Sequence, residues 1–251
     1  MTTPHLILRL DAPLMSFGGI AVDNYGRTDA FPSTSLLTGL IANALGYDRT
    51  EGERLDVLQA RIVHAARIDR AGQHLMDYQT VQLSSDDKGW TTRGKPEGRG
   101  GGSADGTHIR ERDFWADRIV TVAMRMKPSP NTPVALDLDQ VAAALSVPAR
   151  PLFIGRKPCL PVGPLLVGRV DALNAVSALE AWPLAEGFDD IERHLAWWPQ
   201  TEPYLVPADA RTIMVYGRKN WRSGVHGGEQ TWIEGRVSAP RPAPTPGSVA
   251  A

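Results

Sequence analysis

The order in which hydrophobic periodicities follow one another limits the possible folds of this chain more than any other feature. Apolar and polar side chains alternate in residues 5–11, which is typical of a strand with one face in the core. Residues 33–45 instead repeat apolar side chains at helical spacing, and Ser33 and Gly46 suit the ends of a helix. The same patterns predict strands at 61–70, 75–83, 117–127 and 151–154, a short helix at 53–60 and a longer one at 138–145.

This β-α-β-β-α-β order predicts an α+β fold of the ferredoxin-like type, with the helices on one face of an antiparallel sheet. Residues 84–106 interrupt it with seven glycines and no apolar periodicity, so they predict a long flexible excursion. Later strand patterns at 165–170, 211–216 and 231–237, with a helix near 172–181, indicate a β-rich end. The predicted organisation is a ferredoxin-like domain at 1–170, a small β-rich part at 171–239 and a disordered tail at 240–251.

The composition excludes several classes of protein. The 251 residues carry 27 Lys and Arg against 28 Asp and Glu, so a histone-like polybasic protein is excluded. A single cysteine excludes a disulfide framework and a multi-cysteine metal site. No apolar run approaches the ~20 residues that span a bilayer. We therefore expect a cytoplasmic protein with no membrane segment, no metal and no cofactor.

Charge is strongly segregated along the chain. Between Asp139 and Asp171 there is no acidic residue but there are four basic ones, and the same holds between Asp209 and Glu229. The stretch between these segments is acidic. Such alternation can build a local basic groove that neutralises phosphates on a neutral protein, although charges scattered over a solvated surface would give the same pattern.

Two short motifs suit nucleic-acid contacts. In the Gly155-Arg156-Lys157 turn, a glycine allows close approach of a ligand beside two adjacent cations. Residues 107–115 combine two arginines with two aromatic rings, the groups on which single-stranded RNA stacks. A merely solvated turn is the alternative for the first motif. For Trp115 we favour the alternative that its ring anchors the segment to the core.

Six segments taken together resemble the CasD subunits of type I-E CRISPR Cascade complexes, a family within the RAMP superfamily. Their order and spacing over residues 5–170 make the resemblance specific. The segments are Leu6-Ile7-Leu8-Arg9-Leu10, Pro13-Leu14-Met15-Ser16-Phe17-Gly18, Phe31-Pro32-Ser33-Thr34-Ser35-Leu36-Leu37-Thr38-Gly39-Leu40, Asp77-Tyr78-Gln79-Thr80-Val81, Arg112-Asp113-Phe114-Trp115-Ala116-Asp117 and Ile154-Gly155-Arg156-Lys157-Pro158-Cys159.

The resemblance implies a ferredoxin-like, RRM-related RAMP domain with a protruding β-hairpin thumb at about 84–112 and a smaller C-terminal part. It implies a non-catalytic subunit of an antiviral ribonucleoprotein complex. Such a subunit binds and caps the 5′ handle of the CRISPR RNA, and it contacts the backbone subunit CasC and the large subunit CasA.

The resemblance also implies a set of RNA-binding residues. Arg112 matches an arginine at the base of the thumb, and Arg156 and Lys157 match a glycine-basic turn. Phe17 stands where relatives carry tryptophan, and helix-start amides at Ser33 and Ser35 could bind an anion. The complete expected set is Arg112, Arg110, Arg156, Lys157, Ser33, Ser35, Phe17, Arg27, Lys95 and Arg99.

Two other functions fit the sequence less well. A metal-independent endoribonuclease that processes repeat RNA needs a general base and a general acid. His108 with Tyr78 or Lys95 are the only candidates, and they lie on unrelated segments. A purely structural module, whose basic turns meet acidic protein surfaces, is the second alternative.

Overall fold

A computed structural model describes residues 1–19, 25–81, 108–128 and 136–243, together with the backbone of two short strands at 89–90 and 96–97. The helices are α1 (Thr34–Ala44), α2 (Gly52–Arg61), α3 (Leu138–Ser146) and α4 (Ala175–Ala181). The strands are β1 (Thr3–Asp11), β2 (Leu14–Met15), β3 (Tyr25–Gly26), β4 (Ile62–Arg70), β5 (Gln73–Val81), β6 (Gly89–Trp90), β7 (Pro96–Glu97), β8 (His108–Ala116), β9 (Ile119–Met126), β10 (Leu166–Ala172), β11 (His194–Pro199), β12 (Arg211–Val215), β13 (Arg218–Lys219), β14 (His226–Gly227) and β15 (Gln230–Val237).

A seven-stranded sheet in the order β10-β1-β9-β4-β11-β15-β12 forms the centre of the molecule. Every neighbouring pair in it is antiparallel. Along the chain, α1 lies between β1 and β4, and α3 lies between β9 and β10. The predicted α+β class is confirmed.

The helices within residues 1–170, which are α1, α2 and α3, share one face of this sheet as predicted, and α4, which follows residue 170, covers the other face. Leu6, Leu8 and Leu10 of β1 pack into the core cluster that contains α1, α2 and α3. Ile7, on the opposite face of the same strand, packs with the side chains of α4. The sequence of β1 predicted one buried face, but its second face is also buried, because α4 packs against β4, β9 and β10.

The predicted strand at 151–154 is a loop in the structure. Its backbone is bonded to two loops instead of to the sheet: the Ile154 amide donates to Cys159 O (2.8 Å), and Ile154 O accepts from the Ser16 amide (3.2 Å). The sheet position beside β1 is taken by β10. Since β10 spans residues 166–172, the predicted boundary at residue 170 falls inside a strand.

The C-terminal region is rich in strands, as predicted, and these strands extend the central sheet. β11 joins β4 through the pairs Ala196–Arg67 and Trp197–Ala66, and β15 and β12 follow. Trp197 stacks on Phe31 with ring centroids 4.8 Å apart. The C-terminal strands therefore share the core of the N-terminal ones.

A second, smaller sheet has β8 at its centre. β5 pairs with β8 on one side, and β2 and β3 pair with it on the other. β5 is almost entirely exposed and pairs with β8 along its whole length, and we call these two strands the β5–β8 ribbon. Most of the predicted thumb (84–107) and the end of the predicted tail (244–251) lie outside the described residues.

No helix in the described part of the chain is both long enough and apolar enough to cross a bilayer.

A buried ion pair joins the central sheet to the segment that follows α4. Arg67 and Asp69 have fully buried side chains, with 2.6 Å between Arg67 Nε and Asp69 Oδ1. Asp69 Oδ2 also accepts from Thr121 Oγ1 (2.7 Å) and from the Ala185 amide (2.8 Å). Arg67 donates in addition to the carbonyls of Leu179, Trp182 and Pro183. The pair is therefore fully hydrogen-bonded at both ends.

Replacing Asp69 by alanine is expected to lower the free energy of unfolding by about 3–5 kcal/mol, because it leaves the Arg67 charge buried without its partner. The matched control is Asp139→Ala, which breaks the exposed Arg169–Asp139 pair and should cost at most about 1 kcal/mol. Urea unfolding of both variants measures the difference. Equal losses would contradict this role of the buried pair.

Candidate nucleic-acid interface

The β5–β8 ribbon has two chemically different faces. The register pairs Arg110 with Gln79 and Arg112 with Asp77. Because side chains alternate across a strand, Arg110 and Arg112 lie on one face, and Glu111 and Asp113 lie on the other. Two of the predicted RNA-binding residues, Arg110 and Arg112, therefore lie on the same face of the β5–β8 ribbon.

Two guanidinium groups meet over Gly26. β3 runs parallel to β8 and pairs Gly26 with Arg112. A Cβ at Gly26 would lie 2.7 Å from Arg112 Nη1 and 2.8 Å from Arg156 Nη2. The missing side chain thus creates the space in which both arginines lie. The structure brings together two of the predicted site residues that are 44 positions apart in the sequence.

Backbone carbonyls hold Arg156 in place. Its Nη1 donates to Asp113 O (3.0 Å) and its Nη2 to Gly26 O (2.7 Å), while its Cζ lies 4.7 Å from the centre of the Phe114 ring. Burial, and then the charge of Arg112, lower the pKa of Arg156. Within the described residues Arg112 has no hydrogen-bond or ion-pair partner. Neutral carbonyls orient Arg156 without cancelling its charge, so the site is suited to an anion.

The turn that carries Arg156 is fixed by a glycine. Gly155 has φ +88°, and a Cβ there would lie 1.6 Å from Ser16 O. The next residues are Arg156, which is half-buried, and Lys157, which is exposed. The Cys159 amide closes the turn on Arg156 O (2.8 Å). The turn therefore presents two adjacent cations, of which Arg156 is fixed by hydrogen bonds and Lys157 is solvated.

A cavity of about 360 Å³ adjoins Arg156. Three predicted site residues line it: Phe17, Ser35 and Arg156. Lys219 and His226, from the strand pair β13–β14, line it as well. Sequence reasoning did not include these two residues in the site. The only signal for them was the absence of acidic residues between Asp209 and Glu229.

One of the two amides predicted to form an anion site at the start of α1 already has a hydrogen-bond partner. The Ser35 amide donates to Gly217 O (2.9 Å), and Ser33 Oγ caps the helix by accepting from the Leu36 amide (3.2 Å). The Ser35 amide is thus not available to an anion. Phe17 is only 1% exposed, so its ring is a wall of the core and does not offer a face for stacking.

Arg27 lies on the opposite face of the ribbon from Arg112. Its Nη1 is 3.4 Å from Asp113 Oδ2, which His74 Nε2 approaches to 3.5 Å. Its guanidinium lies over the Tyr25 ring at 5.1 Å. The structure therefore does not bring Arg27 together with the other predicted RNA contacts. Lys95 and Arg99 lie outside the described residues.

Trp115, one of the two aromatic residues of the β8 motif, anchors the ribbon, as predicted. Its Nε1 donates to Asp29 O (2.8 Å), and the buried Arg118 guanidinium stacks on its ring. Arg118 also donates to the Ala30 carbonyl (2.8 Å). This fixes the base of the ribbon against residues 29–30.

The described residues do not bring the predicted endoribonuclease groups together, and the side chain of His108 lies outside them. Tyr78 pairs with Glu111, on the face opposite Arg112, and Lys95 lies outside the described residues. Those residues also contain no group of three or more His, Cys, Asp or Glu side chains that could hold a metal ion.

Comparison with known proteins assigns the family. A sequence model of the family described as CRISPR-associated protein (Cas_Cas5) matches residues 5–232, most of the chain. The chain belongs to this Cas5 family. The match spans both the cationic turn and the C-terminal strands.

Relatives of this Cas5 protein agree with the assignment. It is 26% identical over 175 residues to the CRISPR system Cascade subunit CasD of Escherichia coli (strain K12), covering 70% of this chain and 75% of the relative. A chain of a CRISPR RNA-guided surveillance complex superposes with a TM-score of 0.69 at 23% identity, covering 94% of this chain and 91% of that one. A crystal structure of a Cas protein gives 0.57 at 21%, covering 96% and 100%. The resemblance to CasD is confirmed.

Substituting Gly155 tests the fixed turn. Gly155→Ala is expected to lower the free energy of unfolding by about 2–4 kcal/mol, because the new Cβ meets Ser16 O and L side chains disfavour a positive φ. Gly163→Ala is the control, since its Cβ would have nothing within 4 Å, and it should stay within about 0.5 kcal/mol of the wild type. Urea unfolding compares the two. A neutral Gly155→Ala would refute the close contact.

Proposed function

We propose that this Cas5 protein is the non-catalytic RNA-binding subunit of a type I-E CRISPR surveillance complex, and that it caps the 5′ handle of the CRISPR RNA. The observation that carries the proposal is the pair of guanidinium groups, Arg112 and Arg156, over Gly26. Arg156, which carbonyls hold in a half-buried position, and the neighbouring Arg112 together attract a multiply charged anion, and the phosphates of an RNA backbone are such an anion.

The surroundings of the pair support an extended polyanion over a small one. Lys157 is exposed beside Arg156, and Arg110 lies on the same ribbon face as Arg112. These cations lie on two elements, the turn and the ribbon, and a strand of RNA can contact both. One relative of this chain, CasD of E. coli, is described as a Cascade subunit.

The fold supports the finer family assignment. We infer that β10-β1-β9-β4, with α1 and α3 as the connecting helices, is the ferredoxin-like RAMP unit, because its strands follow the 4-1-3-2 order of that fold. The β5–β8 ribbon would be the base of the thumb. The backbone and large subunits of the complex, CasC and CasA in the E. coli naming, are the proposed protein partners.

Removing two cations tests RNA binding. The variant Arg112→Ala with Lys157→Ala is expected to bind CRISPR RNA more weakly and to flatten the plot of log K against log salt by about 1.4 units, 0.7 for each lost phosphate contact. Arg156 is not used, because its removal also breaks two bonds to the backbone. Filter binding at several salt concentrations measures the slope.

The control for charge is Lys127→Ala with Arg236→Ala, which removes two exposed cations that do not line the site. This control should keep the wild-type slope. The proposal fails if the site variant and the control have the same affinity and slope, provided that thermal unfolding shows both to be folded.

Incubation of the protein with repeat RNA in EDTA tests the absence of catalysis. We expect the RNA to stay intact, because the described residues do not bring the candidate acid–base groups, His108 with Tyr78 or Lys95, together beside the two arginines. Denaturing gels give the readout. Specific cleavage that is lost in His108→Ala would establish the endoribonuclease instead.

A further inference from the structure

The strand β12 forms an unprotected edge of the central sheet. In the described part of the chain it pairs only with β15, so the backbone groups on its other side have no strand partner. Exposed edges in natural proteins usually carry charges or proline, which prevent another strand from adding to them. Residues 212–216 instead read Thr-Ile-Met-Val-Tyr, with neither a charge nor a proline. This edge is therefore suited to pairing with an extended peptide.

The two faces of this edge differ in their surroundings. Ile213 and Val215 pack against the core cluster that contains α1, whereas Met214 and Tyr216 alternate with them and are 51% and 48% exposed. The side chains of a strand that added here would alternate in the same way. Every second one would face the core cluster, and those between would lie beside Met214 and Tyr216.

A cavity of about 190 Å³ adjoins the edge on its core side. Residues 213–216 line it from β12, and Gly19, Asp29, Ala30 and Phe31 complete its walls. Phe31 belongs to the core cluster, so an inward side chain of an added strand would point toward this cavity. Pockets for drug-sized ligands measure roughly 300–1,000 Å³, and the smaller volume here suits a single side chain.

Asp29 brings an unpaired carboxylate to this cavity. In residues 1–19, 25–81, 108–128 and 136–243 no group donates a hydrogen bond to that carboxylate or forms an ion pair with it. Burial raises the pKa of Asp29 to about 6. Gly19 keeps the space beside the carboxylate open, since a Cβ there would lie 3.3 Å from Asp29 Oδ1. Residues 20–24 contain no Lys or Arg that could neutralise it.

We propose that β12 pairs with an extended segment of a protein partner, and that a Lys or Arg side chain of this segment enters the cavity and pairs with Asp29. The aliphatic stem of that side chain contacts the apolar walls, and its charged end reaches the carboxylate. Apolar residues on either side of the cation lie beside Met214 and Tyr216. The backbone ladder supplies affinity, and the cavity supplies specificity.

Charge argues against RNA as the occupant of this surface. A nucleic-acid strand brings phosphates, which the Asp29 carboxylate repels, and its backbone has no amides that could continue a β-ladder. The cavity also shares no lining residue with the pair of Arg112 and Arg156. The inference therefore goes beyond the proposed function and does not depend on it.

Two synthetic peptides test the inference on the full-length protein. Both have the sequence Ser-Thr-Val-X-Val-Thr-Ser with acetyl and amide caps, and X is either lysine or its uncharged analogue norleucine. NMR of the ¹⁵N-labelled protein measures where and how tightly each peptide binds. We expect the lysine peptide to shift the amide signals of residues 213–216 and to bind about tenfold more tightly than the norleucine peptide, the usual effect of one charge-assisted hydrogen bond.

Substitutions locate the charge that the lysine peptide recognises. Asp29→Asn should bind both peptides equally, whereas Asp139→Asn, which changes an exposed carboxylate outside the cavity, should keep the preference for lysine. Met214→Lys should weaken binding of the lysine peptide, because it adds a like charge beside the bound strand. Val147→Lys is its control at another exposed apolar residue and should bind normally. Thermal unfolding establishes that each variant is folded.

Three results of the titrations would overturn the inference. Neither peptide shifts the signals of residues 213–216, or both peptides bind the wild type equally, or a folded Asp29→Asn variant keeps the preference for lysine.

Photo-crosslinking identifies the natural occupant. Tyr216→p-benzoylphenylalanine places a photoreactive group at the edge within the assembled complex, and mass spectrometry identifies the crosslinked peptide. We expect a segment of another protein subunit in which Lys or Arg stands between apolar residues. The same group at Val147 is the control and should not give this peptide. A crosslink to RNA, to a second copy of this chain or to the chain itself contradicts the inference, and so does the absence of a crosslink.

The two proposals fail differently. If the proposed function is wrong, the chain binds no CRISPR RNA, and the peptide titrations still decide whether the β12 edge binds a basic segment. If only the edge is wrong, Arg112→Ala with Lys157→Ala weakens RNA binding as expected, while the titrations and the crosslink contradict the inference.

Discussion

Two positive charges held side by side over a glycine are the constraint on which the candidate site depends. Like charges in a half-buried place repel each other, and here burial and the neighbouring arginine both lower the pKa of Arg156. Carbonyl oxygens of Gly26 and Asp113 compensate part of this cost by fixing the guanidinium. A carboxylate in their place would have neutralised the pair. The arrangement therefore retains a positive charge that an incoming anion can neutralise. The free energy needed to bring the two arginines together is supplied when the protein folds, before the anion binds.

The sequence predicted those parts of the molecule that depend on local patterns. The strand β1, the helix α1 with its Ser33 cap and the turn at Gly155 all follow from periodicity or from the needs of a few neighbouring residues. The strand β11 was missed, because the Trp197-Trp198 pair is buried on both faces and shows no alternation. Alternation predicts only strands whose two faces differ in polarity, as those of β1 do.

Long-range contacts account for the errors at the site. Whether Arg27 shares a face with Arg112 depends on the register of β3 against β8, which sequence periodicity does not specify. The Ser35 amide is not available to an anion, because it donates to the carbonyl of Gly217, a residue far along the chain. The cationic contribution of Lys219 likewise depends on Gln59, 160 residues earlier. Charge segregation indicated that basic segments existed, and only the fold determined which of them meet.

The contact between Gly155 and Ser16 O links two loops that have little else in common in the sequence. Neither loop can gain or lose a residue without displacing the other, so insertions and deletions are tolerated poorly at both. A chimera made between members of this family would therefore have to exchange residues 13–18 and 153–159 as one unit. If the basic turn alone were grafted, its two cations would be transferred without the Ser16 loop that fixes their orientation.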